Sequence, residues 1–153
     1  MVKKERISAE VAERFDRVVY KFNVFQKSPI DFGTGEPLYI HETHTLTAIG
    51  KNPGINVTDL AKELCVTKGA VSQVIGKLEK RGYLRKRKDF NDGKRVLLEL
   101  EEKGNMVVEG HDRFHGEIYS KYLDDVSYGQ FTVFKKILIR VEAFLDKKIN
   151  KAT

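Results

Sequence analysis

Residues 66–95, VTKGAVSQVIGKLEKRGYLRKRKDFNDGKR, constrain the fold more tightly than any other stretch of the chain. Val71, Val74, Ile75 and Leu78 recur at helical spacing. Thr67 stands where an N-cap belongs, and Gly82 stands where a chain leaves a helix through a left-handed residue. Lys68 to about Arg81 is therefore read as one helix. The runs YLRKRK and RVLLELE then flank a polar loop, DFNDG, that ends in Asp92-Gly93, the arrangement of a β-hairpin. Just upstream, Thr58 is expected to cap a short helix, DLAKEL, with Leu60, Ala61 and Leu64 inward, and CVT makes the turn between the two helices. INV at 55–57 is long enough only for a strand fragment.

The charge of the chain is concentrated in the same place. From Lys77 to Arg95 there are nine cations (Lys77, Lys80, Arg81, Arg85, Lys86, Arg87, Lys88, Lys94, Arg95) and three anions (Glu79, Asp89, Asp92). That segment holds the whole formal excess of +6 and leaves the remainder neutral. A scattered solvated surface would not gather its cations in this way, whereas a surface that meets a polyanion would. With its apolar side chains turned inward, the helix from Lys68 presents Lys68, Gly69, Ser72, Gln73, Gly76 and Lys77. Small and hydrogen-bonding side chains on one slender face suit the major groove of DNA, where Gln pairs bidentately with adenine and Lys reaches guanine. Arg85, Arg87, Lys88, Lys94 and Arg95 would then lie along neighbouring phosphates, with the hairpin tip toward the minor groove.

Long helices flank this core. Val11, Phe15, Val18, Phe22 and Phe25 draw one stripe between Ser8 and Gln26, and SPIDFGTGEP (28–37) reads as a loop. A second helix is expected from Ile40 to Lys51, another from Glu102 to Leu123, and a last from Tyr128 to Ile149 with Phe131, Phe134, Leu138, Val141 and Leu145 in three-four spacing. Gly104, Gly110 and Gly116 weaken the penultimate helix unless close packing requires them. The two aromatic stripes present more apolar surface than one small core covers, which argues for a homodimer. The fold class is mainly α with a small β-hairpin.

At 153 residues and 41% hydrophobic content the chain is read as a single domain with appended helices, with no apolar run near the ~18 residues that span a membrane. MVKKERISAE has no apolar signal core, and the one cysteine, Cys65, excludes an internal disulfide, so the expected compartment is the cytoplasm.

Residues 56–104, NVTDLAKELCVTKGAVSQVIGKLEKRGYLRKRKDFNDGKRVLLELEEKG, resemble the winged helix-turn-helix of the MarR family of transcriptional regulators. KLEKRGYLRK carries the likeness, as does DFNDGKR, which is similar to the family's Asp-Pro-x-Asp-x-Arg wing. Phe90 stands in place of the usual Pro, Lys94 in place of the wing Arg, and Glu101 in place of a helix-capping Thr. The resemblance covers nearly the whole chain, 1–153. It implies a winged helix-turn-helix at 38–101 and dimerisation helices at 1–37 and 102–153. It also implies a non-enzymatic homodimeric repressor that binds a palindromic operator in double-stranded DNA. Thr67, Lys68, Ser72, Gln73, Lys77, Arg85, Arg87, Lys88, Lys94 and Arg95 would make the DNA contacts.

The four histidines fall in two pairs, His41 with His44 and His111 with His115. His111-x-x-x-His115 places both rings on one helical face, a spacing that suits a shared metal ion or a pair of structural hydrogen bonds. The pattern resembles the zinc-sensing branch of the MarR family, which implies His44, His111 and His115 as ligands of zinc or another transition metal acting as effector. No cofactor is required. The branch's fourth ligand is a glutamate of the first helix, where this chain has Gln26; Asp31, Glu36, Glu42 or water would substitute. Without metal the same crevice would take a small organic effector, with Phe25, Tyr39 and Phe114 at its walls or in the core. Some relatives sense peroxide through a cysteine of the first helix; Cys65 lies elsewhere and is read as a small core residue. A non-specific architectural DNA-binding protein is the competing reading. A metal-dependent hydrolase lacks a phosphate loop, a nucleophile motif and a general base beside the histidines.

Overall fold

The computed structural model describes residues 2–90 and 95–149, so the Asp92-Gly93 turn and Lys94 lie outside the described residues. Helix α1 runs Val2–Phe25 and begins earlier than Ser8. The lead-in contains no breaker, and the Ser8 hydroxyl donates back to the Glu5 carbonyl (2.8 Å) instead of capping. Along the stripe of α1 Val11 is 61% exposed and Phe15 46%.

The segment 28–37 is more than a connector. Asp31 Oδ1 accepts from the backbone N–H groups of Gly33, Thr34 and Gly35 (2.9, 2.9 and 3.1 Å). Ile30 and Leu38 close an antiparallel bridge, and Phe32 and Leu38 are buried. Helix α2 (Ile40–Lys51) follows, with the Glu42 carboxylate accepting from the N–H of its N-cap, Tyr39 (3.0 Å).

Helix α3 runs Val57–Glu63, and its N-cap is Asn56 rather than Thr58. The Asn56 carbonyl oxygen accepts from Thr58 N (2.9 Å) and Asp59 N (3.0 Å). The expected strand at 55–57 reduces to a single bridge, Asn56 with Leu97. Cys65 is exposed, contrary to its reading as a core residue. It has φ +53°, because the turn that redirects the chain into the next helix needs a left-handed residue there. Helix α4 covers Lys68–Lys80, with Thr67 Oγ1 accepting from Ala70 N (3.2 Å) and Gly82 at φ +75°. Strands β1 (Leu84–Lys88) and β2 (Val96–Leu100) pair antiparallel in the register Leu84 with Leu100 and Arg85 with Glu99.

The core of this half gathers Leu46, Leu60, Ile75, Leu78, Tyr83, Leu98 and Val107, each 0% exposed. Full burial of an aliphatic side chain of this kind contributes about 1.5–3 kcal/mol. Val74 and Leu64 are only half-buried. Helix α5 spans Glu102–Tyr122 and α6 Tyr128–Ile149. The chain divides into two compact units, one through Arg113 and one from Phe114, so the division falls inside α5. In the second unit Ser127 and Gln130 cap α6 reciprocally (Ser127 N to Gln130 Oε1 2.8 Å, Gln130 N to Ser127 Oγ 3.3 Å). Among the described residues no helix is long and apolar enough to cross a membrane.

Candidate nucleic-acid interface

The outward face of α4 is built as its apolar spacing requires. Val71, Ile75 and Leu78 are buried, which leaves Lys68, Gly69, Ser72, Gln73 and Lys77 exposed, with Gly76 half-buried. A helix of 13 residues is about 20 Å long and slim enough to lie in a major groove. The Ser72 hydroxyl donates to the Lys68 carbonyl (2.7 Å), so toward a ligand it offers lone pairs. Gln73 keeps an amide able both to donate and to accept. Thr67 is exposed, but its oxygen serves as the cap of α4. Asn56, Val57, Thr58, Lys68, Ser72, Arg95 and Val96 line an open cleft of about 340 Å³ beside the helix. At its edge Arg95 lies 3.7 Å from Asp59, whose carboxylate also accepts from the Asn56 amide (2.5 Å).

The hairpin is less freely cationic than its composition implies. Glu99 Oε2 accepts from Arg85 (Nη2 2.9 Å, Nε 3.1 Å) and Glu99 Oε1 from Arg87 Nε (2.5 Å). Glu101 backs Arg85 at 3.4 Å, and Lys86 binds Glu79 at 2.5 Å. Hydrogen bonds first from Arg87 and then from Arg85 hold the Glu99 carboxyl below the usual carboxylate range. The hydrogen bond to Glu99, then the charge of Glu101, raises Arg85 above the ordinary guanidinium value. Lys68, Lys77 and Lys88 stand exposed around this paired surface. The counter-ions Glu79, Glu99, Glu101 and Asp59 were not anticipated from the sequence. Counting back from the Asn-Asp-Gly tip would have placed Glu99 opposite Arg85, since strand partners share a face.

A second network anchors the end of α4. Arg81 reaches Glu36 (3.3 Å), the buried Glu42 (3.6 Å) and the Pro37 carbonyl (3.3 Å). Lys103 binds Glu36 at 2.8 Å and sits 4.5 Å above the ring of Tyr83. The Tyr83 hydroxyl donates to Glu36 (3.3 Å). The hydrogen bond from Lys103, then that from Arg81, draws the Glu36 carboxyl below its ordinary range. The segment 28–38 is thereby tied to both α4 and α5.

Of the histidines, His44 and His111 meet edge to face with ring centres 5.5 Å apart, and Phe32 and His111 meet in a similar T-shaped contact at 5.6 Å. His41 stacks on Tyr39, and His115 lies beyond the unit boundary beside Phe114. Asp31 and Glu36 are engaged as described, and Glu42 caps α2 while pairing with Arg81. Among the described residues no three histidine, cysteine, aspartate or glutamate side chains converge on a point that would hold a metal. The described side chains therefore supply a histidine pair and not a full ligand set. His41, His44 and Thr45 of α2 face Leu64, Val66, Ala70, Val71 and Val74 across a largely apolar pocket of about 230 Å³. Phe25 and Tyr39 are exposed at 41% and 45% and so are not core.

A short helix, a left-handed turn, an exposed polar helix and a two-stranded wing define a winged helix-turn-helix protein. Residues 38–96 match the model of the MarR family. Members of this family are DNA-binding regulators rather than enzymes. The chain is 26% identical over 113 residues to the HTH-type transcriptional regulator YhjH of Bacillus subtilis (strain 168), a match covering 72% of this chain and 65% of that protein. Among solved structures it is similar to Streptococcus pneumoniae FabT in complex with DNA, at 29% identity and a TM-score of 0.71, covering 94% of this chain and 97% of that one. It is also similar in fold to the S. aureus MepR–DNA complex, at 21% identity and a TM-score of 0.61, covering 92% of each chain.

Proposed function

We propose that this protein is a homodimeric, sequence-specific DNA-binding regulator of transcription, acting in the cytoplasm as a repressor whose grip on DNA a small ligand alters. The observation that carries the DNA-binding reading is the exposed polar face of α4, with Lys68, Ser72, Gln73 and Lys77 unobstructed and aligned. In a two-fold dimer the two α4 helices would enter successive major grooves about 34 Å apart on a palindromic operator. Lys68, Ser72 and Gln73 read bases, Ser72 as an acceptor; Lys77, Lys88 and Arg95 hold phosphates. Similarity to FabT, whose structure was solved with DNA, supports this reading.

The experiment is selection of bound duplexes from a random pool, followed by footprinting. One recovered palindrome is expected, with binding that weakens steeply as salt rises. Gln73→Ala should cost about 1–3 kcal/mol on that site and little on random DNA. Equal losses on both would remove base reading by Gln73, and a pool with no preferred sequence would favour the non-specific architectural protein.

The ligand would occupy the pocket between α2 and the helix-turn-helix, because α4 supplies Ala70, Val71 and Val74 to its wall. A ligand seated there acts on DNA affinity only in so far as it binds the two arrangements of α4 unequally. A transition-metal effector is the second reading, motivated by the close approach of His44 and His111. Running the selection with zinc and with chelator separates the two, since an unchanged pool and unchanged affinity would eliminate the metal.

A further inference from the structure

We propose that Glu99 is a brake on the wing: it keeps Arg85 and Arg87 on its own carboxylate and so lowers sequence-independent DNA binding more than operator binding. This inference rests on the DNA-binding reading above and assigns a specificity-determining role to a residue that faces away from the core.

The geometry is that of one acceptor shared by two guanidinium groups. Register puts Arg85 opposite Glu99 and Arg87 opposite Leu97, so both arginines project from the face of the ribbon that carries Glu99. Each carboxylate oxygen is committed to a different arginine, Oε1 to Arg87 at 2.5 Å and Oε2 to Arg85 at 2.9 Å. The anion itself is held on a strand and is 25% exposed, whereas the arginine side chains are 62% and 46% exposed. The cations therefore remain reachable by another anion, while the less exposed counter-charge sits on the strand beside them.

Two consequences follow from elementary electrostatics. Solvent-exposed ion pairs of this kind are weak, so an arginine can exchange Glu99 for a phosphate. After the exchange, however, Glu99 still faces the phosphate backbone, and like charges held close together repel. A duplex encountered in passing gains little from the wing under those terms. A duplex on which α4 is already seated holds the strand against the wing, and the exchange then becomes intramolecular. Disfavouring the wrong partner by a retained like charge is a recognised route to specificity.

The test uses the full chain and a random-sequence duplex alongside the selected site. Glu99→Gln keeps the size of the side chain and its ability to accept one hydrogen bond. It should bind random duplex severalfold more tightly and lower the ratio of operator to random affinity. Its salt slope should steepen by roughly 1–2 per wing, as one or two further phosphate contacts form. The same substitution made on Arg85→Ala/Arg87→Ala should give no such gain. An equal gain on that background would reduce the effect to a general change of charge and overturn the brake. Unchanged or weaker random binding by Glu99→Gln would overturn it as well. Glu99→Thr, a β-branched residue suited to a strand, repeats the test should Glu99→Gln fold poorly. If the wild-type protein binds neither duplex, the DNA-binding reading itself fails, which is a distinct result.

Discussion

Gly104→Ala should lower the stability of the protein by at least about 3 kcal/mol, and Gly110→Ala by a similar amount, whereas Gly116→Ala should stabilise its helix by about 0.5–1 kcal/mol. A Cβ at Gly104 would lie 2.1 Å from the Tyr83 carbonyl oxygen, and one at Gly110 would lie 2.1 Å from that of Phe32. Both obstacles are backbone atoms, so no rotamer change relieves them. The Tyr83 carbonyl also accepts from Glu101 N (3.0 Å), which pins the start of α5 to the base of the hairpin. Relief would require lifting α5 from the hairpin in one case. In the other it would require lifting it from the buried Phe32, which closes the segment 28–38. A Cβ at Gly116 would meet no described atom within 4 Å other than its own turn of helix, and alanine there only improves helix propensity. Thermal denaturation should show falls of roughly 6–12 °C for the first two variants and a small rise for the third. Equal midpoints in all three would mean that the close approaches are not held in solution.

The other large effect is expected at the helices outside the core. In the single chain α1 exposes Val11, Phe15, Val18 and Phe22 along one stripe, and α6 separately exposes Phe131, Phe134, Leu138 and Leu145. Contiguous apolar surface of this extent marks an interface on a soluble protein, and in the proposed homodimer a second copy covers it. Phe15→Asp combined with Leu138→Asp would bury unpaired carboxylates at that contact. Sedimentation should then report monomers. Operator affinity should fall by about 10²–10⁴, because the second reading head loses the effective concentration that the dimer confers. The wild-type melting temperature should also rise with protein concentration, as it does when folding and association are linked. A variant that remains dimeric with unchanged affinity, or a wild type that sediments as a monomer, would end the dimer proposal.

What could be read from the chain alone was whatever adjacent residues decide. The spacing of Val71, Ile75 and Leu78, the Thr67 cap and Gly82 define α4, and all three apolar residues are buried. The two runs flanking a polar turn located the strands, and three-four spacing located α6. These are interactions over a few residues, whose geometry is set by backbone periodicity before any fold exists. Even here competing local signals were unresolved: Asn56 and Thr58 are both good caps, and the bridge of Asn56 to Leu97 decides for Asn56.

Tertiary structure alone decided which charges and glycines matter. Arg81 meets Glu36 and Lys103 meets Glu36 across separations of 45 and 67 residues, which no local pattern encodes. The hairpin cations looked equivalent in the sequence until register set Glu99 between two of them. Three glycines in one helix looked alike until the chain brought carbonyls against two. Periodicity places a residue on a face, but what that face meets depends on loop closure and packing between distant segments. Those are properties of the assembled fold and not of any stretch within it.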